Sequence, residues 1–116
     1  MRKALREGLL AGFLAYAGSV SWVYAAAPIT ECDRLAAHPK DPMRVGEGVE
    51  WDKVNASEAI KACEQAVEQY ASEVRFWYQL GRAHHIADNF SAAVKLYRKA
   101  VEQGYAGAQN SLGIMY

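Results

Sequence analysis

Few side chains in this 116-residue chain are spaced to do chemistry, and the clearest set sits on one predicted helix. Arg75, Tyr78, Arg82 and His85 are separated by three, four and three residues, which keeps them on a single helical stripe. Two guanidiniums and a phenol on one face suit the grip of an acidic side chain or a C-terminal carboxylate. The plainer reading of the same stripe is a solvated face with its arginines stretched along it. On the binding reading Arg82→Ala is expected to leave the fold intact and weaken only partner binding.

The other reactive residue types lead to less. His84 and His85 are neighbours, so on a helix they point about 100° apart and cannot readily share a metal. His38 is remote from both, no Cys/His spacing completes a ligand set, and His84 is expected in a helix-hairpin core. Cys32 and Cys63 fit neither a redox C-x-x-C nor a zinc knuckle. They are expected to form one disulfide. There is no G-x-S-x-G, no glycine-rich phosphate loop and no plausible carboxylate pair. The expectation is therefore no enzyme activity, no metal and no cofactor. Asn55 and Asn89 each begin an N-x-S pattern, yet both stand at predicted helix starts, where a cap accounts for them.

These residues have to be delivered to their place and held there. Arg2, Lys3 and Arg6 head an uncharged stretch from Gly8 to Ala27, closed by Ala25, Ala26 and Ala27. A basic head, an apolar middle and a small-residue exit make a secretory signal peptide over residues 1–25, cleaved after Ala25. An uncleaved membrane anchor is the alternative. The remainder carries ten Lys and Arg against twelve Asp and Glu, which offers nothing for nucleic acid. Export to an oxidising compartment is also what permits the disulfide.

Residues 28–54 hold all three prolines together with Gly46 and Gly48, and read as a loop-rich capping segment. Thr30 caps a short predicted helix over Glu31 to Ala37, and Val49 and Trp51 pack the loop down. From Asn55 the period is helical. Asn55 with Glu58 resembles a capping box, and Ala59, Cys63, Ala66 and Tyr70 share one face. Ser72 is expected to cap a second helix, which Asp88 and Asn89 end. A third begins near Phe90 and stops at Gly104.

Shifting the sequence by 34 residues lays Ala59–Gln69 over Ala93–Gln103 with six of eleven positions identical. Leu80 and Gly81 recur as Leu112 and Gly113. That period is the length of a helix-turn-helix repeat. Trp77, Leu80, Gly81 and His84, followed by Ala93, Tyr97 and Ala100, resemble the tetratricopeptide repeat. The stretch from Ala100 through Gly104 and Ala108 to Leu112 and Gly113 is similar to the Sel-one-like repeat of exported bacterial proteins. His84 and Tyr105 depart from the tetratricopeptide pattern, which prefers an aromatic and a proline there. The single cysteine pair departs from the cysteine-rich Sel-one-like hydrolases.

The resemblance implies an all-α fold, an α-solenoid of helical hairpins over residues 55–116 whose last repeat is incomplete. Trp77, Leu80, Gly81, Ala93, Tyr97, Ala100, Gly104, Ala108, Leu112 and Gly113 would pack the repeats. It also implies a scaffold or adaptor, in the bacterial periplasm or anchored facing it, that binds a protein or peptide through a concave face. The alternative is the N-terminal part of a larger envelope enzyme or regulator with catalysis beyond residue 116. Self-association through the apolar last helix is a further expectation.

Overall fold

The computed structural model describes residues 27–116, and the expected leader over 1–25 lies outside them. The described chain is helical, with no strand among the described residues. Helix α1 spans Glu31–Ala36, and a short 3-10 turn covers Trp51–Lys53. Four longer helices follow: α2 at Ala56–Gln69, α3 at Val74–Ile86, α4 at Phe90–Glu102 and α5 at Ala106–Met115. None of the described helices is long and apolar enough to cross a membrane.

Local chemistry sets most of these boundaries. Thr30 and Asp33 form a reciprocal capping box at the start of α1. The Asn55 side chain accepts the Glu58 amide and starts α2. Two expected caps are absent. Ser72 does not cap α3, whose N-cap residue is Glu73 without a side-chain bond. Asn89 is the N-cap residue of α4, but its side-chain amide turns instead to His84 Nδ1.

Both α3 and α4 end in the same hydrogen-bonded motif. After α4, Gly104 takes φ +80°, its amide reaches Val101 O, and the Tyr105 amide reaches Ala100 O. After α3, Asp88 takes φ 64°, with its amide on His85 O and the Asn89 amide on His84 O. Left-handed geometry at this position satisfies carbonyls the helix leaves open, and glycine adopts it without strain.

The core divides in two. Cys32 and Ala36 of α1 pack with Ala59, Cys63 and Ala66 of α2 and with Phe76, Leu80 and Ala83 of α3. Its contents are mainly alanine and cysteine, so the helix axes can approach closely. Cys32 and Cys63 are disulfide-bonded and fully buried there. The second cluster joins Tyr78 of α3 to Ala93, Tyr97 and Ala100 of α4, and to Tyr105 and Ala108 at the start of α5.

Gly81 sits at the α3–α4 crossing, where a Cβ would stand 2.8 Å from the Tyr97 ring. Its sequence counterpart Gly113 has nothing within 4 Å of such an atom, so it packs nothing here. Trp77 is also displaced from its expected place. Phe76 takes the core position, while Trp77 lies half-buried, donates to Ala71 O and carries Lys99 over its ring. His84 likewise stays at the edge, bonded to Asn89.

Candidate binding groove

The stripe that the sequence places on one face does lie on α3, but most of it is not open to solvent. Arg75 is 4% exposed, Tyr78 2% and Arg82 2%, and His85 is half-buried. Residues 27–50 of the same chain cover this face. The expectation that Arg82→Ala would spare the fold is corrected accordingly, because Arg82 is an internal tie.

Arg75 grips an acidic side chain, and that acid is its own Asp33. Nε and Nη2 donate to the two Asp33 oxygens at 2.8 and 3.1 Å, and Nη2 also reaches Pro28 O at 3.0 Å. Burial alone would lift the Asp33 carboxyl. The Arg75 hydrogen bond and charge, the Thr30 amide and Gln79 together hold it below its ordinary value. Gln79 donates to Asp33 Oδ1 at 3.2 Å.

Arg82 meets backbone only. Its Nη1 donates to Ala36 O and Ala37 O at 3.1 and 3.0 Å, and Nη2 to Val49 O at 2.7 Å. Val49 in turn donates its amide to Ala37 O at 2.8 Å, which closes the loop onto the end of α1. The loop is fixed at a second point where the Tyr105 hydroxyl donates to the buried Asp41 carboxylate at 2.5 Å.

Between this covering segment and α5 the surface opens into two adjoining cavities of about 500 and 310 Å³, which share His38 and Asn110 in their walls. Tyr78, Gly107, Asp41 and Glu50 are among the residues that line the larger one. A Cβ on Gly107 would stand 3.3 Å from the Tyr78 ring, so glycine keeps this wall close. Arg82, His85 and Tyr97 line the smaller cavity together with Trp51 and Ile114. His85 Nδ1 lies 3.2 Å from the Tyr97 hydroxyl. The rings of Trp51, Phe90 and Tyr97 meet the His85 ring edge-on, at centroid distances of 4.8 to 5.9 Å. Burial lowers the His85 pKa, which favours its neutral form, and also lowers that of Arg82.

No protein-family model, curated protein or solved structure matches this chain. The groove therefore has to be read from its own residues.

Three of the four stripe residues, Tyr78, Arg82 and His85, reach the groove, and Arg75 is consumed by Asp33. Sequence reasoning missed Trp51, Asn110 and Ile114 as groove walls, and Asp33 as the partner of Arg75. One signal for the covering was present. Arg75, Gln79 and Arg82 follow the i, i+4, i+7 spacing of a buried face, written in polar residues. Such a face needs polar partners to cover it. Among the described residues no cluster of His, Cys, Asp and Glu is arranged to hold a metal ion.

Proposed function

We propose that this protein is an exported binding module that engages a protein or peptide partner in the groove between its N-terminal segment and α5. The reading takes α2 to α5 as hairpins of a tetratricopeptide or Sel-one-like array, and residues 1–25 as a signal peptide that delivers the domain to the bacterial periplasm. One observation carries it: the buried polar side chains of Arg82 and Tyr97 line the smaller cavity together with two exposed apolar ones, Trp51 and Ile114. Trp51 is 47% exposed and Ile114 71%. Exposed apolar side chains beside fixed hydrogen-bonding groups are the usual composition of a recognition surface. In this reading the domain recognises its partner and leaves chemistry to it.

Site-specific photo-crosslinking tests the proposal. A crosslinker in place of Asn110, in the groove wall, is expected to give a discrete partner adduct. One in place of Glu64, exposed on α2, is expected to give none. Equal labelling from both positions would reject the groove. A mature N-terminus at Ala26 is the expected result of export, and a retained Met1 in a cytoplasmic fraction would reject that part.

A further inference from the structure

We infer that the 310 Å³ cavity beside Arg82 is a binding site for a carboxylate carried on a branched or aromatic apolar group. This rests on the groove reading above and narrows it to one ligand chemistry.

The cavity is unbalanced in charge. Arg82 is its cation, His38 and His85 beside it are shifted by burial toward their neutral forms, and no Asp or Glu is among its described lining residues. Arg82 is 2% exposed, and among the described residues no carboxylate stands within ion-pairing distance of it. Its Nη atoms are occupied by the carbonyls of Ala36, Ala37 and Val49, while its buried Nε has no partner. Carbonyl oxygens satisfy hydrogen bonds but bring no net charge. Glu50 acts on this guanidinium only through space and forms no ion pair with it, so the buried charge is only partly compensated and an incoming anion would complete it. Guanidinium and carboxylate form one of the strongest charge-assisted pairs available to a protein.

The rest of the wall selects what carries the anion. Trp51, Tyr97 and Ile114 supply apolar surface, and the Asn110 amide and Ser111 hydroxyl supply neutral polar contacts. The volume is near the lower end of the usual range for ligand sites, roughly 300–1,000 Å³. It suits one side chain with its carboxylate. A phosphate dianion would call for a second guanidinium, and Arg75 is already bonded to Asp33.

Two sources can present this chemistry, a peptide C-terminus and a free acid. Calorimetric titration of the full oxidised chain separates them with three probes: a tripeptide ending in leucine, the same peptide amidated, and 4-methylpentanoate. The free-carboxylate peptide is expected to bind, and amidation to weaken it about tenfold or more. A free acid that binds as tightly as the peptide assigns the site to small acids. A weaker one assigns it to peptide termini, and either result supports the carboxylate site.

Asn110→Asp places a negative charge in the wall from an exposed position. It is expected to abolish binding without lowering the melting temperature. Equal binding of the amidated peptide, no binding of any probe, or an Asn110→Asp variant that binds normally would each overturn the inference. A specific adduct from position 110 alongside any of those results would leave the wider groove reading standing.

Discussion

Arg75 and Asp33, 42 residues apart in sequence, form a buried two-point ion pair with side chains only 5% and 1% exposed. The pair welds α1 to the face of α3 that a partner would otherwise reach.

Breaking such a pair from one side leaves a buried charge alone, which costs about 3–5 kcal/mol. Domains of this size have roughly 5–15 kcal/mol in total. Asp33→Asn keeps the shape and removes the charge, so a large loss in urea midpoint is expected at neutral pH. The pH dependence follows from the carboxyl being held below its ordinary 3.8. A group depressed in the folded state stabilises above its unfolded pKa and loses that contribution as pH falls through the folded value. Wild type should therefore lose stability below about pH 4. Asp33→Asn should be weaker above that window, flatter across it and close to wild type below it, and parallel acid titrations of the two would check it.

Gly81 and Gly113 occupy the same place in the repeated Leu-Gly pair, and alanine should act on them with opposite sign. At Gly81 the new methyl meets the buried Tyr97 ring at 2.8 Å and Leu96 Cβ at 3.3 Å. Overpacking of this kind costs about 1–3 kcal/mol, while better helix propensity returns about 1. Gly81→Ala should thus be mildly destabilising, and Gly81→Leu should prevent folding. At Gly113 the methyl meets nothing, so Gly113→Ala should stabilise by up to about 1 kcal/mol. Thermal melts of the three variants test this, and normal helicity and melting in Gly81→Leu would refute the crossing.

Arg82→Met retains the length of the stem and removes every donor. The carbonyls of Ala36, Ala37 and Val49 would lose their guanidinium, and while Ala37 O keeps the Val49 amide, the other two would cost about 1–3 kcal/mol each if left buried. The expected sign is destabilisation, with faster amide exchange at Val49 as residues 37–50 lift. Unchanged exchange there would show that the loop is held without Arg82.

Asp88→Gly should stabilise. Asp88 is the one non-glycine residue with positive φ among those described, at 64°, where Gly104 closes α4 at φ +80°. Left-handed geometry costs an L-residue about 1–2 kcal/mol, offset in part by the freedom glycine adds to the unfolded chain. A net gain of about 0.5–1 kcal/mol is expected, read as a raised urea midpoint.

The helices were legible because their signals are local. Apolar spacing, Thr30, Asn55 and Gly104 put each helix within a residue or two of its place, and the Cys32–Cys63 bond followed from counting cysteines. What covers α3 was not legible. It depends on where residues 37–50 fold back, and that stretch has no period to read. Phe76 and Trp77 show the limit of helical phase: neighbours differ by about 100°, so a modest rotation of α3 decides which enters the core. The Leu112 and Gly113 repeat carries a packing pattern into a helix where nothing packs against that glycine.

The sulfur bridge has a mechanical consequence. Tension applied between residue 27 and Tyr116 would pass from Cys32 directly into Cys63, and the 31-residue span between them would carry none of it. Pulled apart in the oxidised state, the chain would come up short by about 110 Å of contour length. That length includes the covering loop, which would stay slack beside the helices until a reductant cut the bridge.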